Sequence, residues 1–373
     1  MSGFLKRSGA MTTKEFLQLR RDRVTFAMMI AIPLLQLLLF GYAINTNPRH
    51  LPTVVLLQEE SDVGRALLAA LDNTAYLDFI ARVETESAFD AALASGEALI
   101  GIEIPENFER DLRRGQRPAI LVAADATDPV ATGSALAAVA GAGETAFRHL
   151  RGLPQAGPGA LFEVRSHARY NPAAVTQLNV VPGLLGTILT MTLLIFTALS
   201  VTRERERGTM EALLAMPIRP LEIMAGKILP YIGIGFIQAA IIIAAGTLVF
   251  GVPVTGSLGL LALLSTLFIA TNLAIGYTFS TIAKNQLQAV QMAFMFFLPN
   301  ILLSGFMFPF AGMPGWAQWI GEALPLTHYI RIVRGIMLKG SDLALLETDV
   351  LALAAAMVVV TVIAVTRFRQ TLD

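Results

Sequence analysis

The chain contains no cysteine in 373 residues, which removes disulfides, thiolate metal sites and thiol nucleophiles from consideration. Histidine is scarce too: His50, His149, His167 and His328 are scattered, with no H-E-x-x-H and no metal-ligand spacing. No G-x-S-x-G elbow occurs. The one Gly-Lys pair in a phosphate-loop-like place, Gly226-Lys227, has Leu221 where the first glycine belongs and Ile228 where Ser or Thr belongs. An enzyme is therefore the poorer reading, and no metal or cofactor is expected on the chain itself.

Charge is the next scarcity. Only 15% of residues are charged, against about a quarter in soluble domains, while 54% are hydrophobic and the mean hydropathy is +0.61. The apolar excess must face lipid. Net charge is zero, and no nucleic-acid partner is expected.

What is present falls into blocks. Residues 1–23 hold six Lys/Arg against Glu15 and Asp22, and 12–19 can start an interfacial amphipathic helix. Residues 24–44 carry no charge, long enough to cross a bilayer at about 1.5 Å per residue. Their length and the lack of a small-residue cleavage site argue for a retained anchor rather than a signal peptide. Five further spans are expected at 182–201, 228–250, 258–282, about 286–306 and 350–365. Residues 285–321 are uncharged, 37 in a row, which exceeds the roughly 20 that one crossing needs. Pro299, Pro309 and Pro314 argue against one long helix there. A span followed by an external re-entrant hairpin over 307–349 is expected, with Trp316 and Trp319 at headgroup level.

Residues 45–177 have the composition of a soluble domain, with eleven Arg, no Lys and seventeen Asp/Glu. Strand patterns at 53–57, 76–83, 98–104, 119–123 and 161–170 alternate with helical ones at 62–71, 86–94, 106–114 and 129–150. That alternation predicts an α/β domain. Six spans put both termini on one side of the membrane. The positive-inside rule makes that side cytoplasmic, because its segments hold fourteen Lys/Arg against three in the opposite short loops. The predicted fold is thus an α-helical polytopic membrane protein with six transmembrane helices and an inserted extracytoplasmic α/β domain.

The spans hold no Asp, Glu, Lys, Arg or His, which disfavours an ion-coupled secondary transporter. They do hold Gln36, Thr187, Thr190, Gln238, Asn272, Gln291 and Asn300. These residues either bond helix to helix or line a substrate path, and one sequence leaves both readings open.

The segment between the second and third spans, 202–227, is the most charged part of the membrane half. Gly208 is placed to break the preceding helix, and Thr209 to cap a short new one in which Met210, Leu213 and Leu214 share a face. Pro217 and Pro220 end it. A helix of about two turns is unstable alone, so this face either folds back on its own spans or docks on a partner.

The run Arg203-Glu204-Arg205-Glu206-Arg207-Gly208-Thr209-Met210-Glu211, with Leu213, Leu214 and Pro217 behind it, resembles the R-E-R-E-x-G-T-x-E-x-L signature of ABC-2-type exporter permeases. Asn179–Leu184, Gly226–Tyr231, Leu298-Pro299, Leu324–Leu326 and Arg334–Ile336 resemble further family stretches. The resemblance implies that residues 1–23 form an elbow helix and that 202–227 couple to a separate ATP-binding subunit. It also implies a dimer of permease copies or paralogues in the bacterial inner membrane, and ATP/Mg used on the partner rather than here. The large insertion between the first two spans is similar to the multidrug-efflux branch, often associated with a periplasmic adaptor. Membrane lipid surrounds such a protein, and an amphipathic or hydrophobic cargo is expected from neutral spans. A membrane-anchored receptor or scaffold acting through its external domain is the alternative from another class.

Overall fold

The computed structural model describes residues 48–143, 147, 161–208 and 220–370. The expected elbow helix and first span, and Gln36 with them, lie outside the described residues.

An α/β unit comes first. Its sheet holds β1 (Leu51–Leu57), β2 (Leu77–Val83), β3 (Ile100–Ile104), β4 (Ala119–Asp125) and β5 (Glu163–Arg169) in the order β2-β1-β3-β4-β5. Neighbours are parallel except β3 and β4. Helices α1 (Asp62–Asp72), α2 (Glu86–Ser95), α3 (Phe108–Arg113) and α4 (Pro129–Gly143) fill the connections. Alternating residues of the strands send Val55, Ile100, Ile102 and Val122 to one face, where they pack with Leu67 and Leu71 of α1 and Phe108 of α3. On the other face, Phe89 and Leu93 of α2 cover Val54, Leu56 and Ala123. Gly101 makes room for that ring, because a Cβ would sit 2.3 Å from Phe89. Side-chain caps from Ser61 and Thr85 start α1 and α2.

Among the described residues, five helices are long and apolar enough to cross a membrane. They are α5 (Thr176–Glu206), α6 (Pro220–Leu248), α7 (Leu258–Ile282), α8 (Gln286–Leu303) and, last in the chain, α11 (Glu347–Gln370). Pro182, Pro230 and Pro299 lie inside their helices. Between α8 and α11 come a 3-10 turn at Phe310–Gly312, α9 (Gly315–Glu322), α10 (Pro325–Arg334), a π-helical turn at Gly335–Lys339 and a 3-10 turn at Leu343–Leu346. The expected break in the long uncharged run is therefore real. Gly305, at φ +77°, turns the chain away from α8 two residues after its end.

Helix α7 is the centre of the bundle, packed chiefly on α5 and α11. The approach to α5 is close: a Cβ on Gly276 would lie 2.9 Å from the Leu194 carbonyl oxygen and from Thr197 Cβ. Toward α10, Phe268 stacks on Tyr329 at 3.9 Å between ring centroids, and Ser265 shares a 2.7 Å hydrogen bond with the Tyr329 hydroxyl. Outward residues such as Ile237 and Ile241 on α6 and Val358, Val359 and Val362 on α11 stay exposed, as lipid-facing residues do.

Candidate functional site

The charged signature begins on the last turn of α5. Arg203, Glu206 and Arg207 are exposed and Glu204 is half-buried. The helix ends at Glu206, and Gly208 follows at φ +70°, a backbone position glycine occupies without penalty. Thr209, Glu211, Leu213, Leu214 and Pro217 lie outside the described residues.

Glu206 does not pair with Arg203 or Arg207, as its spacing permits. Its Oε1 instead accepts the backbone N–H of Gln286 at 2.7 Å, and its Oε2 accepts from the Gln286 side-chain amide. These are the first-turn groups of α8, where helix amides lack partners and the helix dipole favours a carboxylate. The Gln286 amides hold the Glu206 carboxyl below the usual carboxylate range. Around this clamp the α7–α8 connection is ordered by its own side chains. Asn285 caps α8 by accepting from Gln288 N at 2.8 Å, and Gln288 Oε1 accepts from Lys284 N at 3.0 Å. One turn back on α5, buried Thr202 donates its backbone N–H to Ser280 Oγ on α7 at 3.3 Å. The end of α5 is thus bonded to both α7 and α8.

The polar residues of the spans divide. Thr187 and Thr190 donate to the carbonyls of Gly183 and Gly186 on their own helix, each at 2.8 Å. Gln238 accepts from Thr192 at 2.9 Å and so joins α6 to α5. Asn272 donates to the Phe268 carbonyl, leaving its own Oδ1 buried without a partner. Gln291 Oε1 and both amide atoms of fully buried Asn300 are also unpartnered. A groove between α5 and α8 is lined by Met191, Leu194, Ile195, Ala293, Phe294 and Phe297. Gln291 and Asn300, each three residues from a lining phenylalanine of α8, are not among its lining residues.

At the opposite end of the bundle lies a second charged cluster. His328 on α10 sits between the Asp349 carboxylate on Nδ1 and the Glu322 carbonyl on Nε2, both at 2.8 Å. Arg331 holds Glu322 at 2.6 Å and reaches Asp349 at 3.4 Å. Burial pulls the imidazole pKa down, but the hydrogen bonds to Asp349 and Glu322 outweigh it and leave His328 above its ordinary 6.5.

The sequence matches the ABC-2 family transporter protein family over residues 23–366. The chain belongs to this family. As an ABC-2 permease it is also similar to curated relatives over most of its length. It is 30% identical to the probable multidrug ABC transporter permease YbhS of Escherichia coli, over 95% of this chain and 94% of that protein. It is 31% identical to the inner membrane transport permease YhhJ of the same organism, over 77% of each chain. ABC transporter G family member 20 of Dictyostelium discoideum matches at 23% identity over 91% of this chain and 47% of its own length.

Two features of the permease escaped the sequence reading. The 283–285 turn has no counterpart among the expected elements, although Asn285 ahead of an apolar run is a cap signal. The Glu322–His328–Arg331–Asp349 cluster carries no motif, because its four members come from three helices.

Proposed function

We propose that this permease is the membrane-spanning subunit of an ATP-driven exporter, with residues 202–227 as the element on which a separate ATP-binding subunit docks. The observation that carries the reading is the Glu206–Gln286 clamp. A push on the segment beyond Gly208 is delivered at once to α5 and α8, the two helices that form the groove. Gly208 supplies the turn, Thr209 the cap, Leu213 the buried contact, and Glu211 with Arg203 and Arg207 the charged rim. ATP and Mg are bound and used on the partner, since no phosphate-cradling loop occurs in this chain.

The rest of the proposed assembly takes its support from the family and from charge. A dimer with a second copy or a paralogue, six spans with both termini cytoplasmic, and the α/β unit on the outer side of a bacterial inner membrane form one consistent arrangement. A periplasmic adaptor would contact the α/β unit. The cargo is an amphipathic or hydrophobic molecule, drug-like or lipid-like. The support is a groove walled by Met, Leu, Ile, Ala and Phe. The YbhS relative is named a probable multidrug permease, which is in keeping with such a cargo.

The test pairs purified permease with its ATP-binding subunit in vesicles. Permease alone should hydrolyse no ATP, and the complex should move hydrophobic dyes only with ATP. Turnover by the lone permease, or transport driven by an ion gradient without ATP, would overturn the reading. Transport of small hydrophilic ions alone would overturn the cargo class.

A further inference from the structure

An ammonium group of the membrane bundle is buried against the α/β unit. Lys339, last residue of the π-helical turn, places Nζ 2.6 Å from Asp125 Oδ2 at the end of β4, with the two side chains only 10% and 3% exposed. The same Nζ lies 3.4 Å from the Leu93 carbonyl in the last turn of α2, where a helix favours a cation, and 5.3 Å from the centroid of the Tyr170 ring just past β5. Three elements of the α/β unit thus converge on one residue of the membrane half. Gly96, at φ +80°, ends α2 beside this ammonium.

The turn that carries Lys339 is itself gripped from the bundle side. A π-turn shifts the usual helical pairing, and the carbonyls of Ile336 and Met337 are met by backbone N–H groups of Gly256 and Thr255, each at 3.0 Å. Those residues lie in the α6–α7 connection. A Cβ on Gly256 would come within 2.6 Å of the Ile336 oxygen, so only glycine permits this approach. Arg334, one residue before the turn, bonds Asn179 in the first turns of α5. Helix α5 has 31 residues, about 46 Å at roughly 1.5 Å each. Its far end is the Glu206–Gln286 clamp.

We propose that Lys339 is the positioning residue that makes the α/β unit follow the membrane helices through the transport cycle, by locking Asp125, α2 and Tyr170 to the turn that α5 and the α6–α7 connection hold. The proposal rests on the exporter reading, which supplies the motion at the other end of α5. It adds that the α/β unit is a driven part rather than a tethered cap.

The absence of native cysteine permits spin labels at Gln116→Cys, exposed on the α/β unit, and Thr366→Cys, exposed near the end of α11. In the complex with its ATP-binding subunit, the distance between the labels should shift between nucleotide-free and ATP-bound states. Lys339→Met alone strands a buried carboxylate and risks misfolding, so the deciding variant is Lys339→Met with Asp125→Leu, which removes both charges. It should assemble, bind the ATP-binding subunit and support ATP hydrolysis. The label shift should vanish, and ATP-driven transport should fall about tenfold or more. Lys339→Arg, which keeps the cation, should retain the shift. An unchanged shift and normal transport in the apolar double variant would overturn the proposal, as would a parent that transports without any shift. A parent that neither binds the ATP-binding subunit nor transports with ATP would bring down the exporter reading first, with Lys339 losing its role in consequence.

Discussion

Glu206 and Gln286 lie 80 residues apart in the chain and meet at 2.7 Å, carboxylate on backbone amide, where α5 ends and α8 begins. The contact makes the two groove-forming helices share an end. A carboxamide at position 206 still accepts from that amide, whereas a methyl cannot. Glu206→Gln should therefore lower ATP-driven transport mildly, and Glu206→Ala more, with membrane insertion normal in both. Equal activity of Glu206→Ala and the wild type would show that the clamp carries no motion.

Leu213 should matter more than any of the charges around it. Its burial on a partner is worth roughly 1.5–3 kcal/mol, or about tenfold to 150-fold in affinity. An exposed ion pair adds about 0.2–1 kcal/mol. Leu213→Asp should abolish pull-down of the ATP-binding subunit and transport together, while the protein still inserts. Intact pull-down and transport would remove 202–227 as the docking element.

Gly276 sets the separation of α5 and α7. A methyl there meets the Leu194 carbonyl at 2.9 Å, and backbone cannot move aside as a flexible side chain can. Gly276→Ala should cost about 1–3 kcal/mol, and Gly276→Leu should prevent assembly. Thermal unfolding in detergent measures the first. An unchanged midpoint would mean that the helices separate freely.

His328 predicts a pH dependence with a definite sign. Its two ring nitrogens face two acceptors, the Asp349 carboxylate and the Glu322 carbonyl, so the imidazolium satisfies both as a double donor. Arg331 is the cation that opposes it. With the folded pKa above its ordinary 6.5, the added stability is complete below about that pH and is lost as pH rises through the folded value. Unfolding midpoints should therefore fall with rising pH in the wild type more steeply than in His328→Gln. Parallel curves would rule the imidazolium out as a source of stability.

Much of the architecture was legible because it repeats with local periods. The 258–282 span coincides with α7, and 86–94 falls one residue short of α2, since runs of apolar residues and Thr or Ser caps act within a turn or two. Helix α5, Thr176–Glu206, extends beyond the expected 182–201 span at both ends. Pro182 suits a helix start in isolation but here lies inside a helix, and charged Arg203–Glu206 continue the helix beyond the apolar stretch.

Partnership was not legible in the same way. Thr187 and Thr190 turned inward to their own helix because an i−4 carbonyl is always within reach, a choice the sequence leaves open. The residue types alone left no thiol site and no phosphate-loop motif, and hydropathy alone demanded a membrane. Which carboxylate meets Lys339, and which amide meets Glu206, depends on elements 214 and 80 residues apart arriving at one point. Periodicity encodes faces and ends; only the packed tertiary structure brings two distant ends within hydrogen-bond range.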